Sequence, residues 1–329
     1  MKNALSWDEY EAICKQFYES GNVKAHCILT LAWNLCSRID NVLRLRVDDL
    51  SFSKDYLGVR ISKTKTDPTG QNARTIHVYA NPLNHVVCPL FALGMYLLCS
   101  ERAATQILLF PDTEYMDFLK ALKDAASQVG SINVECVGTI STRKGAATFA
   151  AGGNVPTAVS LVAQRGGWSF GNVMDRYIAP SDEGDCYIGR ILCGLPRDDV
   201  AFATLPPQLE MDAIGEAISA LYDLHKSPEG MKNVVAAAIA SVIAQSGQLE
   251  RDKNKLGESH KYFSSLVYKN CSVYQKLLLN PPSRMCATGV PKLVHIIAEV
   301  REKLQELSEQ VRILKHEGLL AGLKIRIST

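Results

Sequence analysis

The segment Val23–Cys36 constrains what this chain can fold into more than any other. Ile28, Leu29, Leu31, Ala32 and Leu35 leave it almost no polar face. A helix apolar nearly all round cannot sit at a surface, so this one is expected to be a buried central helix. Ahead of it, Ser6 precedes an acidic first turn, Asp8 and Glu9. That pattern predicts a helix over about Trp7–Tyr18 with Ser6 as its N-cap. Gly21-Asn22 separates the two helices.

Downstream the period changes. Asn41–Leu50 sets Val42, Leu43, Leu45 and Val47 on alternating sides. Leu57–Lys65 and Arg74–Tyr79 alternate on either side of Asp67-Pro68-Thr69-Gly70, which predicts a β-hairpin. Pro89–Leu98, opened by its proline, Asp117–Val129 and Arg143–Ala151 read as further helices. The expected fold class is therefore α+β: mainly helical with a small antiparallel sheet. Leu195-Pro196 and Leu205-Pro206-Pro207 punctuate the end of this region, which is expected to span residues 1–204. Helices at about Leu209–His225, Met231–Gln245 and Ser259–Leu279 would form a C-terminal helical region over 205–290, and Pro281-Pro282 precedes a last segment, 291–329.

In that last segment Leu293, Ile297, Val300, Leu304, Leu307, Val311 and Leu314 recur at alternating four- and three-residue steps. Such a seam predicts a coiled-coil or inter-subunit helix. An amphipathic helix packed on its own domain has a related pattern, with a wider apolar face.

Composition restricts the function classes. The chain has 329 residues, 47% hydrophobic and 21% charged, and no run of about 18 apolar residues that would span a membrane. Its first residues lack the apolar core of a secretory signal. Its ten cysteines form no C-x-x-C pair and no zinc-type spacing, so free thiols in a reducing, intracellular compartment are expected, the nucleus if the cell is eukaryotic. The net charge of +2 conceals an asymmetry: residues 251–329 carry 14 Lys/Arg against 7 Asp/Glu. A basic tail on a mildly acidic body suits an anionic partner, and equally a solvated helical surface. No phosphate loop of nucleotide-binding type occurs.

Five residues spread along the first half carry chemistry: Arg38, Lys65, Arg143, Trp168 and Tyr177. Two guanidinium forks, a lysine, an indole donor and a phenol are the groups needed to hold one phosphodiester and attack it. Taken singly, each has a plainer role. Arg38 would cap the helix before it, Lys65 would be a solvated hairpin charge, Trp168 a core aromatic and Tyr177 a surface anchor. Arg143 near a helix start is badly placed for the macrodipole, and asks for an anion.

Together these residues sit in boxes that resemble the tyrosine recombinases. Asn34-Leu35-Cys36-Ser37-Arg38-Ile39-Asp40-Asn41 is similar to their first arginine box. Ser62-Lys63-Thr64-Lys65-Thr66 is similar to the lysine-bearing hairpin, and Ile140-Ser141-Thr142-Arg143 to the His-x-x-Arg box. Gly166-Gly167-Trp168, with Tyr177 nine residues after the tryptophan, resembles the ending of Cre-like catalytic domains. A narrower likeness is to the recombinases of eukaryotic crypton elements, carried by Ala32-Trp33-Asn34-Leu35, Lys63-Thr64-Lys65-Thr66-Asp67, Arg143-Lys144-Gly145-Ala146-Ala147 and Gly189-Arg190 before Gly194-Leu195-Pro196. The resemblance covers residues 5–210 and fades toward 270.

The resemblance implies a DNA breaking-rejoining fold and strand cleavage through a 3′-phosphotyrosyl intermediate. It assigns Arg38 and Arg143 to the phosphate, the Trp168 indole to a non-bridging oxygen, Tyr177 to the attack and Lys65 to the leaving 5′-oxygen. Lys63, Lys144 and Arg165 become candidate DNA-phosphate contacts. It implies double-stranded DNA as partner, a homo-oligomer (dimer or tetramer) through residues 293–314, and neither metal nor cofactor. The N-terminal domain with which such enzymes close around DNA is not expected within this chain. Two positions depart from the pattern. Ile140 replaces the histidine, which at a general-base position is worth about 10²–10⁴ in rate. Asn41 replaces a supporting glutamate. The alternative expectation is therefore a domesticated or catalytically impaired DNA-binding and oligomerisation protein.

Overall fold

A computed structural model describes residues 2–62, 69–70, 73–100, 107–153, 157–169, 171, 179–209, 229–279 and 287–327. Helix α1 (Trp7–Glu19) starts at a capping box: the Ser6 hydroxyl accepts the Glu9 N–H at 3.2 Å, and the Glu9 carboxylate accepts the Ser6 N–H at 2.7 Å. Helix α2 (Val23–Asn34) is buried continuously from Ala25 to Asn34 and packs against α1 and five later helices, as its apolar pattern requires. It stops two residues short of the expected Cys36. Cys36 adopts a left-handed φ of +48°, which turns the chain out of the helix.

The segment after Arg38 departs from the alternation read in it. Ile39–Leu43 forms a short helix, α3, and Val47–Asp49 a 3₁₀ turn. Ile39, Val42, Leu43 and Leu45 are all buried. A helical turn beside an apolar core buries neighbouring residues that an isolated strand would divide between two faces.

Strands β1 (Leu50–Ser53), β2 (Tyr56–Arg60) and β3 (Thr75–Val78) form one antiparallel sheet in that order. The expected hairpin is β2–β3, with Leu57 opposite Val78. Strand β1, paired with Leu50 opposite Val59, is an addition to the sequence reading. Helices α4 (Pro89–Cys99), α5 (Tyr115–Val129), α6 (Thr139–Ala151), α7 (Val159–Gly166) and α8 (Asp182–Leu192) complete the first part.

A two-residue strand β4 (Gln208–Leu209) leads to α9 (Glu229–Ala244), which packs on α4 and β1. At the crossing of α4 and α9, a Cβ on Gly94 would lie 2.4 Å from the Ala238 carbonyl oxygen, so only glycine permits the approach. The helix expected over Leu209–His225 lies almost entirely outside the described residues. The one expected over Ser259–Leu279 is broken into turns at Lys261–Ser264, Leu266–Lys269 and Cys271–Lys276, followed by strand β5 (Leu278–Leu279), which pairs with β4. Ser265 causes one break: its backbone is extended and its hydroxyl accepts the Tyr268 N–H at 3.2 Å, capping the next turn.

The last helix, α10, runs unbroken over Lys292–Ile327. Its root is fastened by a buried cluster. Asp55, in the β1–β2 turn, accepts the Thr288 N–H at 2.9 Å and the Thr288 hydroxyl at 2.7 Å, and pairs with Arg190 of α8. Both charged partners are fully buried. The Arg190 guanidinium also stacks 4.4 Å from the Tyr79 ring centre. Val294 packs against this part of the core. Beyond it Ile297, Val300, Leu304, Leu307 and Val311 are each between 47% and 60% exposed. The side chains of Leu293 and Leu314 lie outside the described set. The nine described cysteines are free thiols, mostly buried. No described helix is long and apolar enough to cross a membrane.

Candidate active site

The end of α2, the hairpin arms, α6 and the last turn of α7 enclose a cavity of about 270 Å³. Its walls carry four arginines: Arg38, Arg74, Arg143 and Arg165. What each guanidinium touches decides what it can do.

Arg165 is a structural member. It is 3% exposed. Its Nε and one Nη donate to the Asn34 carbonyl at 2.9 and 2.7 Å, one Nη reaches the His77 carbonyl at 2.8 Å, and the other reaches the Asp185 carboxylate at 2.8 Å. Asp185 also accepts the His77 N–H and meets His77 Nδ1, each at 2.8 Å. Burial pushes the Asp185 carboxyl up, but the Arg165 charge and the bonds from His77 outweigh it and bring it down to about 2. Burial works against His77 too, and its bond to Asp185 raises it to about 9. Arg165 is thus held by the protein itself and is not offered to a phosphate, contrary to its candidacy as a DNA contact.

Arg143, in the second turn of α6, is 6% exposed. Its Nε donates to the Cys36 carbonyl at 3.1 Å and an Nη to the Gly166 carbonyl. The guanidinium lies 4.9 Å from the Trp168 ring centre, a cation–π contact. Burial lowers its pKa; Cys36 opposes the shift and the positive charge of Arg38 adds to it.

Arg38 is half-buried at the N-cap position of α3 and makes no side-chain cap bond there. The helix-capping role open to it is filled by others, since the last carbonyls of the α2 end take Arg165 and Arg143. Asn41 lines the same wall and donates to the Ser37 hydroxyl at 3.2 Å.

Arg74 was not legible as a site residue. It stands on the arm leading into β3, half-buried, and donates an Nη to the Gln164 carbonyl. It and Ile76 both line the cavity, as alternation along a strand requires. That alternation was visible in the sequence; which face met the cavity was not.

The remaining candidates separate. Trp168, 41% exposed, stands at the surface against Gly166 rather than in the core. Ile140, 39% exposed, lies one turn before Arg143 and does not line the cavity. Lys144 is exposed, and its Nζ donates to the Lys2 carbonyl at 2.7 Å, away from the cavity lining. Lys63, Lys65 and Tyr177 lie outside the described residues. Chain on either side of the lysines, Ile61 and Ala73, lines the cavity, and the Ala179 carbonyl accepts the amide of the lining Gln164 at 3.2 Å.

Arg38, Arg74 and Arg143 form no ion pair with any carboxylate among the described residues. Guanidinium groups with no described carboxylate partner, two of them (Arg74 and Arg143) anchored to neutral carbonyls, make a ready site for an oxyanion, because planar forks match its oxygens and desolvation strengthens the attraction. Among the described residues no group of three His, Cys, Asp or Glu side chains comes together as a metal site would need.

Mainly helical, with a three-stranded antiparallel sheet and an arginine cavity at their junction, the chain has a tyrosine recombinase-like fold. Among solved structures it is similar to a Flpe mutant in a complex with a DNA Holliday junction, with a TM-score of 0.50 at 15% identity, over 71% of this chain and 64% of that one. A Flpe–Holliday junction complex matches with a TM-score of 0.48 at 15% identity, over 74% and 64% of the two chains. A FLP recombinase–Holliday junction complex matches with a TM-score of 0.44 at 16% identity, over 57% and 50%. The similarity thus spans a little under two thirds of the length of the first of these chains. No protein family model and no curated protein matches the sequence.

Proposed function

We propose that this chain is the catalytic part of a crypton-type tyrosine recombinase that cuts and rejoins duplex DNA. The observation that carries the reading is the cavity lined by both Arg38 and Arg143, neither of which has a carboxylate partner among the described residues. A scissile phosphate there would receive two forks on its non-bridging oxygens. Tyr177 Oη would attack phosphorus, forming the 3′-phosphotyrosyl bond as the bond to the 5′-oxygen breaks. Lys65 would give that oxygen its proton, and the Tyr177 phenol would release its own proton to solvent, since Ile140 offers no base to take it. Preorganised cations act on the charge that develops in the pentavalent state, where they are worth most. The complexes of Flpe with a Holliday junction support the fold and motivate duplex DNA as the partner.

The test is a suicide duplex carrying a nick beside the cleavage site. The wild-type chain is expected to accumulate a covalent adduct that is absent in Tyr177→Phe. No adduct on a duplex that the protein binds would remove the enzymatic reading.

Ile140 favours a second reading, a DNA-binding protein whose cleavage is impaired or lost. Its side chain offers no hydrogen bond. Ile140→His separates the readings: cleavage that rises about 10²–10⁴-fold identifies a site otherwise intact, and none in either form leaves the binding role. In both readings the chain would act as a homo-oligomer through the exposed stripe of α10.

A further inference from the structure

We infer that Arg74 is a third phosphate-binding arginine of this site, placed beside Arg143 by the last turn of α7; the inference rests on the DNA-cleaving reading above. The two guanidinium groups are anchored two residues apart on one turn: Arg74 donates to the Gln164 carbonyl and Arg143 to the Gly166 carbonyl. Both are tied down at one Nη, and both line the same cavity as Arg38. They reach it from opposite parts of the chain, Arg74 from the hairpin and Arg143 from α6.

The electrostatics show why the group is there for a ligand. Asp185, the described carboxylate that acts most strongly on Arg74, is already engaged by Arg165 and His77. Burial lowers the pKa of Arg74; Asp185 opposes the shift and Arg165 adds to it. Capping α7 would satisfy the Gln164 carbonyl, but a neutral amide would do that as well. A third cation, half-desolvated beside two others, is costly to the free protein and becomes favourable when an anion enters. It also supplies hydrogen-bond donors to a site in which position 140 supplies none.

The experiment uses the full chain and its cleavable duplex. Duplex affinity is measured against salt concentration, and adduct formation is timed, for wild type, Arg74→Gln, Arg74→Lys and Arg143→Gln. Arg74→Gln keeps a donor for the Gln164 carbonyl and loses the charge. It is expected to lower the slope of log affinity against log salt by about one and to slow adduct formation about 10- to 100-fold. Arg74→Lys is expected to recover the slope and only part of the rate, since a lysine offers a point charge in place of a fork. A slope and rate in Arg74→Gln equal to wild type, while Arg143→Gln loses both, would overturn the role of Arg74 and leave the proposed function standing. A wild-type chain that binds no duplex would overturn both. Should Arg74→Gln fail to fold, Arg74→Lys decides: cleavage at the wild-type rate refutes contact by the fork.

Discussion

Asp185→Asn gives the most direct test of how the cavity is held. The Asp185 carboxylate joins three separate parts of the chain: α8, which carries it, the β3 residue His77 and the α7 residue Arg165. Arg165 in turn holds the Asn34 carbonyl at the end of α2. Two routes give the size of the effect. A carboxyl moved from its ordinary value of about 3.9 to about 2 contributes roughly 2.5 kcal/mol at neutral pH. Leaving a fully buried guanidinium without its anion costs about 3–5 kcal/mol. The variant should therefore lose about 2.5–5 kcal/mol, measured by urea unfolding followed by circular dichroism.

The pH dependence carries the sign. Asp185 is depressed in the folded state, so its contribution is present above about 4 and disappears as pH falls toward about 2. His77 is raised to about 9, so its contribution is present below about 6.5 and disappears as pH climbs through about 9. Both shifts describe the same hydrogen bond, so they are not added. The wild type should be most stable between about pH 4 and 6.5 with respect to this cluster. Asp185→Asn should flatten the acid side and weaken the alkaline decline. A variant within about 1 kcal/mol of wild type, with its acid side unchanged, would refute the account.

Three other outcomes follow from the packing. Gly94→Ala should destabilise by about 1–3 kcal/mol despite alanine's better helix propensity, because its Cβ would meet the Ala238 carbonyl at 2.4 Å; thermal unfolding reads the loss. Asp55→Ala should cost about 3–5 kcal/mol and speed amide exchange around Thr288, which loses its acceptor at the root of α10. Val300→Asp with Leu307→Asp should reduce the light-scattering mass of the wild-type chain without lowering its unfolding midpoint, since both side chains are at least half exposed.

Local signals were legible where the chemistry is local. Ser6 with Glu9, the proline at the start of α4 and the alternation of the hairpin each act within a turn or across one strand pair. Strand β1 escaped notice because Leu50–Ser53 takes its place from pairing with β2 rather than from its own pattern. The break at Ser265 escaped because a serine is tolerated inside a helix, and only its extended backbone makes this one a cap.

The site divides in the same way. The boxes around Arg38 and Arg143 could be recognised in order along the chain, and both arginines line one cavity. The sequence could not distinguish Arg74 from Arg165. Each is an arginine near an apolar stretch. One is held by carbonyls and a carboxylate that come from α2, β3 and α8, up to 131 residues away; the other has a single carbonyl partner and faces the cavity. By itself, then, the sequence determined the buried helix, the hairpin and the order of the cationic residues, because periodicity and capping are properties of neighbours. Only the tertiary structure decided which guanidinium groups are left for an anion, because that depends on every hydrogen bond the distant chain has already made.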